Sequence, residues 1–231
     1  MLSYRLTRRL LRHHLPIGFI SLASGYLLYA TRSYPDVLTR LSFSSAYPAL
    51  FLLATTLLIG PLKILAGNRL AVSMDFRRDI GIWAGIVGLF HLAVGQCVHL
   101  RGRPWLYYIY ENWQQKHFQP IRHDLFGLAN YTGLIAALIL LALLATSNDA
   151  SLRKLSTPGW KQLQRWNYGC FVLTAVHTFV YQKGIENQPL PFLATAIIAV
   201  GITLALQLSG VFYRRRRLGN ARLASQSMPN T

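Results

Sequence analysis

Two histidines in apolar surroundings are the residues of this chain best placed to do chemistry. His91 lies inside residues 80–100, which carry no charge, and His177 lies deep in the apolar run of residues 163–181. An imidazole in hydrocarbon costs free energy unless both ring nitrogens find partners. His91 stands 12 residues past Asp79, and His177 stands 13 past Gln164. At a rise of about 1.5 Å per residue, both sit about 18–20 Å from the same end of two parallel helices. Two neutral imidazoles at one depth can bind a planar metal cofactor from its two faces, as helix bundles do with inward-facing side chains. With haem iron, each ring gives one nitrogen to the metal and keeps the other N–H for a carbonyl or hydroxyl. Thr174 and Thr178 flank His177 and are candidates for that role. The competing reading is that each histidine only hydrogen-bonds between helices, and spacing leaves both open.

The elements that must position these rings follow from composition. Of 231 residues, 52% are hydrophobic and 13% charged, against roughly 25% charged in soluble domains. A helix of roughly 20 apolar residues spans a bilayer. Six segments meet or approach that length: residues 15–30, 46–66, 80–100, 125–146, 163–181 and 190–213. Arg5, Arg8, Arg9 and Arg12 precede the first, as in a signal peptide, but no small-x-small cleavage site follows, so an uncleaved helix is expected. The expected fold is an all-α integral membrane bundle of six transmembrane helices. Its parts are a basic N-terminus (residues 1–14), the membrane domain (15–213) and a basic tail (214–231), polar from Leu218 and expected to be disordered.

Basic residues orient the bundle, because cytoplasmic flanks collect Lys and Arg. One side gathers the N-terminal arginines, Arg69, Arg77, Arg78, Arg153, Lys154, Lys161, Arg165, the run Arg214–Arg217 and Arg222. The other holds fewer: Arg32, Arg40, Arg101, Arg103, Lys116, Arg122 and Lys183. Both termini are therefore expected in the cytoplasm. The net charge of +17 then reflects topology and contact with anionic lipid, not nucleic-acid binding. Cys97 and Cys170 have no metal or disulfide spacing and read as small core residues. The loop between the third and fourth spans is aromatic, with Trp105, Tyr107, Tyr108, Tyr110 and Trp113, and suits the membrane interface.

Three stretches, "LFLLATTLLIGPLKIL", "RRDIGIWAGIVGLFHL" and "WKQLQRWNYGCFVLTAVHTFVY", resemble successive signatures of the ferric reductase-like transmembrane domain family. The resemblance covers about residues 40–213. It implies a membrane core that moves electrons through b-type haem, with iron ligands at His91 and His177. It also implies a place among the members paired with a periplasmic methionine sulfoxide reductase. Related proteins often carry a further histidine at the beginning of the fifth helix, where this chain has Gln164, a poor haem ligand. One outer haem b keeps both ligands, and an inner haem lacks one. His13 and His14 abut Arg12 and read as ordinary membrane-flank residues.

His99 lies about 12 Å further out than His91 and about 80° around the helix, so it cannot share that iron. His99, His117 and His123, with Arg101, Arg103 and Arg122, would gather at the outer surface. There they form a propionate clamp, an acceptor-docking site or a solvated basic loop. No Gly-rich dinucleotide fingerprint occurs, so electrons are expected from quinol, or from a flavin or separate flavoprotein. The expected protein is a multi-pass electron-transfer subunit of the bacterial inner membrane, in contact with lipid and a periplasmic reductase. The alternatives are a stand-alone ferric or other metal reductase and a haem-free structural or transport subunit. The charge pattern makes a direct prediction. Reporter domains fused after Thr231 and within residues 35–40 should report opposite sides of the membrane, cytoplasmic for Thr231; the same side for both contradicts the six-span count.

Overall fold

The computed structural model describes residues 7–34, 36–67, 69, 72–112, 114 and 119–226. Their regular structure is helical apart from one bridge between Ile109 and Ile121. A π-helical stretch, Leu10–His14, leads into α1 (Leu15–Thr31), followed by α2 (Val37–Leu65) and α3 (Met74–Val98). The segment between α3 and α4 contains two short 3₁₀ turns, Leu100–Gly102 and Pro104–Tyr107. Then come α4 (Leu125–Ala145), α5 (Asp149–Gln164) and α6 (Trp166–Phe179). A π-helical extension of α6, Val180–Ile185, precedes α7 (Leu190–Gln226).

Local chemistry sets several of these boundaries. Asp36, Ser73, Asp124 and Asn148 each accept the backbone N–H three residues on, at 2.7–3.0 Å, and so cap α2, α3, α4 and α5. Among the described residues, four helices are long and apolar enough to cross a membrane: Val37–Leu65, Asp75–Val98, Leu125–Ala145 and Leu190–Asn220. The first expected span has become α1, with 17 residues. The fifth is divided: the chain breaks at Arg165 between α5 and α6, and α6 itself has 14 residues before its π-helical extension. The polar tail is helical as far as Gln226, where disorder was expected from Leu218. Leu, Ala and Arg propagate a helix readily once it is nucleated, and α7 supplies the nucleus.

α2 is the central helix. Its Leu50, Leu53, Ala54 and Leu57 form the core with Ala84 of α3, Ala136 of α4, Cys170 and Phe171 of α6, and Ala196 of α7. Small residues let the helices close up where lipid offers no hydrophobic drive between them. Gly85 and Gly88 lie against Leu144 and Leu140, Gly18 against Trp83, and Gly210 against Pro61. Cys170 is buried as expected, but Cys97 is exposed on the outside of α3.

The N-terminus is fastened by a polar cluster that sequence reading missed. Asp79, fully buried on α3, accepts both its oxygens' hydrogen bonds from Arg9 Nε at 2.9 Å, with the Arg9 Nη2 also on Oδ1. His13 Nδ1 lies 2.7 Å from Oδ2 and His14 Nε2 3.2 Å from Oδ1. These two histidines are therefore partners of a buried carboxylate, not bare flank residues. Removing one member of a buried ion pair costs about 3–5 kcal/mol. Arg9, His13 and His14 keep 22–24% of their side-chain exposure, which places this cluster near the lower figure. Asp79→Ala is expected to destabilise the protein by about 3 kcal/mol, measured by denaturant titration in detergent micelles. A change below about 0.5 kcal/mol, the range of ordinary surface substitutions, would mean the cluster does not hold α1.

Candidate cofactor site

α3 and α6 bring His91 and His177 together: the ring centroids are 6.2 Å apart and the planes cross at 79°. Each ring is tied through Nδ1 to another helix. His91 Nδ1 lies 3.0 Å from the Ser42 carbonyl of α2, with Ser45 Oγ at 3.3 Å. His177 Nδ1 lies 2.8 Å from the Ala129 carbonyl of α4. A carbonyl oxygen only accepts, so both Nδ1 atoms carry the proton and donate. Both Nε2 atoms are then left with a lone pair, the state an imidazole needs to bind a metal. Thr174 and Thr178 do not fill the supporting role expected for them; Thr174 Oγ1 donates to the Cys170 carbonyl instead, at 2.9 Å.

Two metal–imidazole bonds of about 2 Å, with two ring radii of about 1 Å, span about 6 Å, and the observed centroid separation agrees. The rings face a cavity enclosing about 1280 Å³ of empty space, part of it open, walled by α2, α3, α4 and α6. Glycines keep the histidine end of the cavity tight. A Cβ on Gly133 would stand 2.6 Å from His177 Nδ1, and one on Gly88 would stand 2.6 Å from Leu140 Cδ2. Among the described residues no three His, Cys, Asp or Glu side chains cluster as a protein-only metal centre. A pair of imidazoles suits an iron whose remaining donors come from a macrocycle. The residues present fit haem.

Outward of the rings the cavity becomes polar. His99 lines it and stacks on Tyr181 with centroids 6.4 Å apart, while Tyr181 also touches His177 at 5.0 Å. The segment between α3 and α4 folds back over the end of α3. Tyr107 is buried, its hydroxyl accepting the His99 backbone N–H at 2.7 Å and donating to the Gly95 carbonyl at 3.0 Å. Burial pushes the Tyr107 phenol above its usual pKa. Tyr107 and Tyr110 are thus buried packing residues, while Trp105 is exposed. Arg103 pairs with Glu111, and Arg122 pairs with Asp124 at 2.6 Å and donates to the Leu106 carbonyl at 2.8 Å. Arg103, Arg122 and His123, which packs against Tyr110, lie outside the cavity lining. His117, Trp113 and Lys116, together with the side chain of Arg101, lie outside the described residues.

A second cavity of about 1030 Å³ adjoins the first, sharing Leu53, Ala84 and Leu140 as walls. It is lined by Arg77, Arg78, Lys161 and Arg165 and by Trp160 and Tyr168. Arg78 reaches Asp149 at 2.6 Å, and its guanidinium holds that carboxyl below the usual carboxylate range. Gln164 lines this cavity as well, and its buried Nε2 has no hydrogen-bond partner among the described residues. Sequence reasoning singled out Gln164 only as a missing ligand, and it passed over Ser42, Ala129 and Gln182. Backbone carbonyls leave no trace in side-chain spacing. Gln182 did leave one, as a lone amide five residues after His177.

Fold and site together define a helical membrane protein whose bundle encloses a pair of metal-ready imidazoles. Over 151 residues the chain is 29% identical to the protein-methionine-sulfoxide reductase heme-binding subunit MsrQ of Pectobacterium atrosepticum, a match covering 65% of this chain and 68% of that protein. No protein-family model matches the chain. The close contact at Gly133 generates a prediction that does not depend on any cofactor. Gly133→Ala should cost about 1–3 kcal/mol by overpacking against His177, whereas Gly201, which has open space around it, should accept Ala without loss. Denaturant titration of the two variants checks the contrast, and equal stabilities would contradict the packing.

Proposed function

We propose that this chain is the haem-binding electron-transfer subunit of a bacterial inner-membrane system that delivers electrons to an acceptor on the outer face, a methionine sulfoxide reductase. The observation that carries the reading is the shared state of His91 and His177, both fixed through Nδ1 to carbonyls of other helices and 6.2 Å apart in one cavity. Together the two rings would hold the iron of a single haem b. Similarity to MsrQ, a haem-binding subunit of a protein-methionine-sulfoxide reductase, supports haem over a bare hydrogen-bond pair, and a sulfoxide reductase partner over stand-alone metal reduction.

When bound, haem supplies a one-electron iron couple within a low-dielectric site. The chain's own residues do the rest. Ser42 and Ala129 fix the tautomer of the ligands, and Gly133 lets the His177 ring lie close against α4. Six crossings, with both termini cytoplasmic, put the cationic second cavity on the inner side. There Arg77, Arg78, Lys161 and Arg165 suit an anionic or quinone-type electron donor, a flavin or a quinol. Among the described residues no histidine lines that cavity, and Gln164 stands where a second haem would need a ligand. The outer segment, with Arg103, Arg122 and His123, forms the surface toward the acceptor, and His99 lies between it and the haem.

The test is spectroscopic. Detergent-purified protein should show a reduced low-spin b-type spectrum, and no such spectrum after haem supplementation would overturn the reading in favour of a haem-free subunit. His91→Ala or His177→Ala should remove most of the haem or leave it high-spin, while Gln164→Ala should keep haem content within about 20% of wild type because no iron bond is lost there. Haem loss in Gln164→Ala with a normal spectrum in His91→Ala would move the site to the inner cavity.

A further inference from the structure

The outer mouth of the haem cavity holds one polar atom without a partner. Gln182 is 8% exposed and lines the cavity; its Nε2 is 2.9 Å from Tyr47 Oη, and its Oε1 has no hydrogen-bond partner among the described residues. Leaving a buried amide half satisfied costs about 1–3 kcal/mol, so the side chain is poorly explained by packing. It stands five residues after His177, about 7 Å outward along the same helix. The helix becomes π-helical there, from Val180, and that wider turn brings both Tyr181 and Gln182 to the cavity. π-Turns inside helices are frequent at functional sites.

The amide and hydroxyl can exchange roles. As placed, Gln182 Nε2 donates to Tyr47 Oη. With the amide turned over, the Tyr47 hydroxyl donates to Oε1, and Nε2 is free to donate into the cavity. A carboxylate accepts from that N–H, whereas a protonated carboxyl donates to Oε1 in the first orientation. The pair therefore fits the acidic edge of a ligand in either protonation state. Positive charge stands at the same rim: Arg32 donates to Gln188 at 2.9 Å, and Gln188 also lines the mouth. Glu186 lines it too, and its negative charge leaves room for one ligand carboxylate beside Gln182, not two.

We infer that Gln182, oriented by Tyr47, is the positioning residue that holds one propionate carboxylate of the haem at the outer mouth. This rests on the haem reading above. It makes the cavity directional, with the acidic edge of the macrocycle outward and the apolar edge toward Leu53 and Leu140.

The experiment measures the rate at which detergent-purified holoprotein loses haem to excess apomyoglobin. It uses wild type, Gln182→Leu and Tyr47→Phe, each loaded with haem or with haem dimethyl ester, in which both propionates are methylated. With haem, Gln182→Leu should lose its cofactor about tenfold faster, the lower end for a hydrogen bond to a charged group. Tyr47→Phe should shift the rate the same way by less. With the ester, whose carbonyls accept only a neutral hydrogen bond, the difference between the proteins should shrink to about twofold. Equal rates with haem, or an undiminished difference with the ester, would overturn the inference while leaving His91 and His177 as ligands. If Gln182→Leu does not accumulate, the haem-against-ester comparison in Tyr47→Phe decides alone. Absence of a low-spin spectrum in wild type would overturn the haem reading and this inference with it.

Discussion

The Nδ1–H of each intramembrane imidazole is tied to a backbone carbonyl on a neighbouring helix, and the central packing depends on keeping those two ties. A bilayer offers no water to satisfy a buried N–H, so the protein must supply the acceptor itself. Helical carbonyls are normally engaged within their own helix. Ser42 and Ala129 accept a second hydrogen bond through their remaining lone pair. Reaching a backbone oxygen requires a close approach, and the contact of Gly133 with His177 shows how close it is. Four helices are thereby joined: α2 to α3 through Ser42 and His91, and α4 to α6 through Ala129 and His177. The centroid distance between the rings follows from where those carbonyls stand.

The same constraint, met differently, fastens the N-terminus. Asp79 lies on the α3 face toward the N-terminal helix, and its carboxylate is surrounded by Arg9, His13 and His14. Such a cluster adds little net stability compared with an apolar core of the same shape, because desolvation offsets most of the attraction. It does fix position: only one rotation of the helix brings three donors to one carboxylate. The remaining surface of α1 is apolar, with Phe19, Ile20, Leu22 and Leu27 exposed, which suits a helix held to the bundle along one edge and facing lipid on the rest.

The cavities are graded in polarity along the bundle. The second cavity, at the Arg77 end, is cationic and lined by two aromatic rings, the middle is apolar and closed by small residues, and the mouth at the opposite end offers amides, two phenols and His99. An apolar middle lowers the local dielectric, which magnifies every charge effect on a group held there. Polar groups at the two ends suit ligands that carry charge at their edges. The segment that follows α3 is fastened to the end of that helix through Tyr107, which bonds His99 and Gly95.

The class of fold was legible in the chain itself, because whether a segment prefers hydrocarbon depends on its own side chains. Apolar runs marked most of α2, α3, α4 and α7, and the two buried histidines stood out against them. Other features depended on neighbours distant in sequence. The acceptors for His91 and His177 are backbone atoms 49 and 48 residues away, set by helix rotation and not by spacing. His13 and His14 looked like flanking residues until α3 brought Asp79 against them, and Cys97 faces outward because the rotation of α3 that turns His91 inward leaves it there. Gln182 reaches the cavity only because α6 widens into a π-turn. Residue type decides which segments become membrane helices; the close contacts at Gly133, Gly88 and Gly18 decide how those helices are rotated against one another, and rotation decides which atoms meet.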